Sequence, residues 1–240
     1  MGYYHQLQRP LAEHSYALYP LITIATLAII ISRIIALSHF RHHDFPSPWT
    51  TVVSFGDELT DCGNGAHITG GKYPNDHSYW HHRFSNGPNW IDSLITNFGG
   101  LEKVKMRNFA HGGATTDNAL LPGSLLGHYI PSTHQQVRGF MLKSRHAAYP
   151  ETDTTLYTVW TGMNDCLALG GIGSQTRNRN FTTEDIIDSV FQDIVQMEHE
   201  SHNKVSFVVL LTPPPVEDMP MVRNEKSEKR LLVQSAVQSI

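Results

Sequence analysis

The chain has 240 residues, 40% of them hydrophobic, enough to bury the core of one sizeable domain or two small ones. A formal charge of -4, with both signs interspersed, excludes the basic footprint of a DNA- or RNA-binding protein. Two cysteines exclude a zinc finger or a disulfide-dense mini-fold; the fifteen histidines are scattered, with no His-Glu-x-x-His and no Cys-x-x-Cys, so neither a metal nor a cofactor is expected.

The first predicted element lies near the N-terminus. Residues 17–32, ALYPLITIATLAIIIS, carry no charge, and apolar character resumes after Arg33 through Leu37. This is close to the ~20 residues needed to cross a bilayer, and Arg33 can snorkel if it lies near one end. The expected organisation is a tail over 1–17, a transmembrane helix or signal-anchor over 18–37, a linker over 38–49 containing Pro46 and Pro48, and a domain over 50–240. A cleaved signal peptide with its small-residue site at Ala36 to Ser38 is the main rival, and a buried core helix the bland one. Arg9 precedes the apolar run while Arg33 and Arg41 follow its start, so charge bias sets no orientation. The one Asn-x-Ser/Thr sequon, Asn180-Phe181-Thr182, suits a lumenal or extracellular domain, membrane-anchored or secreted.

The domain opens with a buried strand, TTVVSF over 50–55, followed by a Gly/Asn/His-rich loop over 63–86. A helix over 88–98 places Trp90, Ile91, Leu94, Ile95 and Phe98 at helical spacing, with Pro88 as starter and Gly99-Gly100 as stop. VKMRNFA, 104–110, is the second strand; a helix over 132–148 follows Pro131; TTLYTVW, 154–160, is the third strand. Thr182 and Asp185 form a capping box opening a helix that carries Ile186, Ile187, Val190, Ile194 and Met197. KVSFVVLL, 204–211, is the fourth strand, stopped by three prolines, and a charged helix over 224–239 ends the sequence. Alternating strands and helices predict a parallel sheet with helices on both faces, which binds ligands at the carboxyl ends of its strands. Three such ends carry polar, Gly-rich text: Gly56-Asp57-Glu58, NFAHGGATT over 108–116 and TGMNDC over 161–166. Each alone is an ordinary connector; together they predict a site.

These three stretches, FGDELTDCGN, NFAHGGATT and GMND, resemble the ordered blocks of the SGNH, or GDSL-type, ester hydrolases, in the carbohydrate acetylesterase and lipase-like branch. RFSNGPNWIDSL and VVLLTPPPVEDMP extend the resemblance over about 50–220. It implies a flavodoxin-like three-layer α/β/α fold with a parallel sheet; the fold expected here is C-terminally incomplete and follows the one membrane helix read from the apolar run. It implies that a serine in the place of Glu58 would attack an ester carbonyl, with a histidine as base oriented by an aspartate three residues earlier. The backbone N–H groups at Glu58 and Gly113 and the side-chain amide of Asn164 would form the oxyanion hole, one such donor being worth roughly 3 kcal/mol of barrier. Asp57, Asn108 and Asp165 would support the loops, turn capping being the plainer reading for the last two. If the loops are neighbours, Cys62 and Cys166 could form a disulfide in an oxidising compartment, two free, buried thiols being the plainer reading.

Two departures matter. Glu58 replaces the nucleophile, and no histidine has an aspartate three positions before it. His111 is the one histidine expected near the site, as a supporting or surface residue. Glu58 is expected to fold into the oxyanion hole itself, helped by the following helix N-terminus. An absent fifth strand, with the sheet in the order 2-1-3-4-5, would leave the fourth an exposed edge. The expected protein is therefore a catalytically impaired or inactive homologue. The alternatives are an active enzyme with Glu58 as base for a water, a carbohydrate-binding or scaffold pseudoenzyme, and an incomplete product of an active esterase gene. Expected partners are an ester or acetylated carbohydrate and, through the N-terminal helix, a membrane, but no nucleic acid. Loops over 63–80 and 123–134 would shape specificity, where Tyr79 and Trp80, with Trp90 beyond them, either stack on sugar or pack internally.

Overall fold

The computed structural model describes residues 49–145, 154–173, 180–200 and 206–239. The expected membrane segment lies outside them; among the described residues no helix is long and apolar enough to cross a membrane. The strands are β1 (Thr51–Gly56), β2 (Lys105–Asn108), β3 (Gly123–Leu125), β4 (His128–Ile130), β5 (Thr155–Trp160) and β6 (Ser206–Leu211). The helices are α1 (Asn64–Ile68), α2 (Trp90–Asn97), α3 (Thr133–Arg145), α4 (Met163–Leu169), α5 (Thr183–Glu200), α6 (Pro220–Arg223) and α7 (Ser227–Ser239).

All six residues of β1, TVVSFG, are buried, as a strand covered on both faces requires. Side chains alternate across it. Val53 and Phe55 point with Tyr157 and Val159 of β5 toward Val137, Phe140 and Met141 of α3 and Met197 of α5. Val52 and Leu156 point the other way, onto Ile91 and Ile95 of α2. Helices therefore cover both faces of the sheet. Phe55 stacks on Phe109 at 5.6 Å and meets Phe140 edge-on at 5.8 Å, so truncating it to alanine would cost about 3–5 kcal/mol.

The sheet order is β2-β1-β5-β6 with every neighbouring pair parallel. This is the order expected for the first four predicted strands. The chain moves outward from β1 to β2, then crosses back to β5, so the order reverses beside β1, where such sheets open a crevice at their carboxyl ends.

Helix ends follow local chemistry. Asn89 caps α2 reciprocally: its side chain accepts from Asp92 N at 3.1 Å, and Asp92 Oδ2 accepts from Asn89 N at 3.1 Å. This capping box, rather than Pro88, sets the start. The expected box at α5 is present, with Thr182 N donating to Asp185 Oδ2 at 2.7 Å and Asp185 N donating to Thr182 Oγ1 at 3.3 Å. Two expected loops contain structure. The 63–86 segment folds into α1 and a 3-10 turn at Trp80–His82. The 123–134 segment contains the β3–β4 hairpin, paired Gly123 to Ile130 and Leu125 to His128. Strands three residues long give too short a pattern to read, and the hairpin turn carries leucine where asparagine is the usual signal.

Candidate active site

The site is built where β1 leaves the sheet. Gly56 has φ +138°, and a Cβ there would lie 1.9 Å from the carbonyl oxygen of Trp160 on β5, so only glycine keeps the two strands paired to their tips. Gln136 of α3 clamps the same peptide from below. Its Oε1 accepts from Gly56 N at 2.9 Å and its Nε2 donates to Gly56 O at 3.0 Å. The sequence reading missed Gln136. Its signal is a polar residue beside Val137 and Phe140 on the buried face of the helix.

Asp57 follows, fully buried. Its Oδ1 accepts from Leu59 N at 3.0 Å, while Oδ2 has no hydrogen-bond partner. Burial, and then the neighbouring Glu58 carboxylate, push its carboxyl well above the usual carboxylate range.

Glu58 folds into the cleft, half-buried. Its Oε2 accepts from Gly113 N at 3.1 Å and from Asn164 Nδ2 at 2.9 Å. Its own backbone N–H also favours its charged form, together with these two donors, whereas burial raises its pKa and wins. The three groups expected to form an oxyanion hole thus converge, and the atom at their focus belongs to Glu58. Gly113 reaches this position because it has φ +79°, and a Cβ there would sit 2.4 Å from Ser124 O of the hairpin. Asn164 is held in turn by donating to Ala114 O at 2.9 Å.

The supporting residues do more than cap turns. Asn108 Nδ2 donates to Thr60 O at 2.7 Å and its Oδ1 accepts from Ala110 N at 2.9 Å, tying the β1 loop to the β2 loop. Asp165 reaches across to Thr116, accepting from its N at 3.1 Å and its Oγ1 at 2.8 Å; burial pushes its carboxyl up to about 6. Asp61, a second residue the sequence reading passed over, accepts from Gly63 N and Asn64 N at 2.7 Å, Gly65 N at 2.8 Å and Gly112 N at 2.7 Å. Its signal was the run of small residues that follows it, able to turn their N–H groups inward.

Cys62 and Cys166 are free thiols, the plainer of the two readings, and not a disulfide. The Cys62 sulfur accepts from Asn108 Nδ2 at 3.3 Å, on the β2 side of β1, whereas Cys166 is buried within α4 beyond β5. Burial pushes the two thiols up to about 11 and about 12. His111 Nδ1 donates to Phe109 O at 2.7 Å, and burial lowers its pKa. That ring bond ties it to its own loop. Two of the candidate sugar-stacking aromatics pack internally. Trp90 donates to Thr60 Oγ1 at 3.1 Å and meets Trp160 edge-on at 5.6 Å, and Tyr79 donates to Tyr73 OH at 3.1 Å. Trp80 carries the Arg83 guanidinium 5.2 Å from its ring centre. Asn180 of the sequon is exposed ahead of α5.

Residues 52–240 match the GDSL-like lipase/acylhydrolase family. The chain belongs to that family. It is 28% identical over 179 residues to the phosphatidylcholine-sterol acyltransferase of Aeromonas hydrophila, covering 74% of this chain and 48% of that one. It is 28% identical over 120 residues to the thermolabile hemolysin of Vibrio parahaemolyticus (50% and 26% covered). It is 29% identical over 154 residues to an acetylesterase of Thermothelomyces thermophilus (60% and 47% covered). The chain spans about half or less of the length of these GDSL-family relatives.

Proposed function

We propose that this GDSL-family chain does not hydrolyse esters and that Glu58 closes its oxyanion hole. The observation that carries the reading is the Glu58 Oε2 atom within 3.1 Å of Gly113 N and 2.9 Å of Asn164 Nδ2. Acyl transfer needs those donors for the oxygen of a tetrahedral intermediate. A resident carboxylate takes the same charge-assisted bonds, worth roughly 1.5–3 kcal/mol each, and it is tethered, so an incoming carbonyl must displace it. A carboxylate is a poor nucleophile toward an ester, and the sequence offers no Asp-x-x-His to generate a better one.

The ligand class that suits the pocket is an ester, acetylated carbohydrate among the candidates, because the family and the names of two relatives concern acyl groups. The uncharged run before Arg33 supports membrane attachment, and the exposed Asn180 sequon supports a lumenal or extracellular domain.

The test is turnover of an aryl acetate by the purified chain, expected at the buffer rate for the native protein and for Glu58→Ser alike. Turnover by the native protein that Glu58→Gln abolishes would overturn the proposal and make Glu58 a general base for water.

A further inference from the structure

The β3–β4 hairpin stands beside the oxyanion-hole glycine and is firmly built at its base. Ser124 N donates to Gly113 O at 3.2 Å. Leu125 and Ile130 are buried against Ala114. The Asn118 side chain bridges the two strands, accepting from Gly123 N at 2.6 Å and donating to Ile130 O at 2.8 Å.

The tip is built differently. Leu126 has φ +50° and is 62% exposed, and Gly127 follows at φ +80°. Positive φ at both central positions is the type I′ turn, which favours asparagine followed by glycine. Leucine is strained there, and it leaves an apolar side chain in water. Neither turn stability nor core packing accounts for it; backbone strain retained at an exposed position points to use. Tyr129, on β4, is 61% exposed, and its hydroxyl donates to Gln135 Oε1 at 2.7 Å, which fixes the ring. From Asn118 through Val137 the sequence has no Asp, Glu, Lys or Arg. A protruding leucine and an exposed tyrosine on one hairpin, in a segment whose only ionisable side chains are His128, Tyr129 and His134, match the boundary between lipid headgroups and acyl chains. Tyrosine is favoured at that depth, histidine is the one other ionisable side chain at the tip, and no carboxylate, lysine or arginine there has to be desolvated. A protein partner would need a broader contact, about 800 Å² per side for a stable complex.

We propose that the hairpin tip, Leu126 with Tyr129, inserts into the surface of an uncharged lipid bilayer and so faces the mouth of the site toward lipid. This does not depend on whether the site turns over an ester, so either proposal can fail alone.

The experiment is amide hydrogen exchange of the full chain with and without phosphatidylcholine vesicles, read over the peptide spanning 123–131. This local signal is separate from any binding by the N-terminal apolar run. Vesicles are expected to slow exchange there several-fold, and Leu126→Met to preserve the effect. Leu126→Asn is expected to weaken the protection about tenfold in vesicle concentration. The same variant should raise the melting temperature by roughly 2–4 °C, because asparagine suits the turn. A purely structural leucine would give the opposite pair of results. Exchange unchanged by vesicles overturns the proposal, as does protection that appears without vesicles and disappears on dilution, which would assign the tip to a second copy of the chain.

Discussion

The strand tips around Glu58 and the outer flank of β6 are two ends of one sheet, built on opposite terms. At the tips polar groups are buried and nearly all are paired: Asp61 holds four backbone N–H groups, Gln136 holds both sides of the Gly56 peptide, and Asp165 holds Thr116. At the flank apolar groups lie in water. Val209 and Leu210 of β6 are 45% and 44% exposed. Among the described residues no strand pairs with the far side of β6. A buried polar group without a partner costs several kcal/mol, so the tips tolerate few changes. An exposed valine on an edge costs little within one molecule and shows its effect between molecules. The bracing of the tips comes from these hydrogen bonds between loops, so it stands whatever residue occupies position 58.

The largest way to break this contrast is Asp61→Ala. It removes the acceptor from four buried N–H groups at once, and urea unfolding should show a loss of about 4 kcal/mol. Next is the pH dependence at Asp165. Its carboxyl is raised from 3.8 to about 6, so the folded state binds the extra proton between those values. Stability contributed by this group is therefore greatest below 3.8, falls as pH rises through the window and is flat above about 6. Asp165→Asn should flatten stability between pH 4 and 6.5 by about 3 kcal/mol relative to the native chain. A residual slope should remain, because Asp193 is also pushed up to about 6 by burial. Gln136→Leu should cost about 2 kcal/mol by leaving the Gly56 N–H without its acceptor, with no change in the melting behaviour of the flank. The smallest effect belongs to Val209→Lys with Leu210→Lys. Stability should move by less than about 0.5 kcal/mol, while light scattering at high concentration should show less self-association.

Much of this architecture was legible in the sequence. β1, β5 and the helices α2, α3 and α5 declare themselves by unbroken apolar runs or by 3.6-residue spacing over more than one turn. The three stretches that carry Glu58, Gly113 and Asn164 were legible because each follows a strand in a parallel arrangement, and such strands end on one side of the sheet; the three residues within them were singled out by the family resemblance. The hairpin was not legible, because its strands are too short to alternate and its turn residue is atypical. Asp61 and Gln136 were not legible either. Their partners are backbone groups far along the chain, at Gly112 and Gly56, and nothing in local spacing encodes such a pairing. The cysteines stayed open between a disulfide and free thiols for the same reason: closeness to site residues along the chain says nothing of which way a sulfur points.

By itself the sequence determined the parallel α/β layering, the family, and the presence of a carboxylate, Glu58, at the tip of the first strand, because periodicity and residue identity are properties of the chain alone. Only the tertiary structure decided where that carboxylate goes. Its destination depends on N–H and amide groups from three separate strand ends meeting at one point, and a convergence of that kind exists only once the sheet has formed.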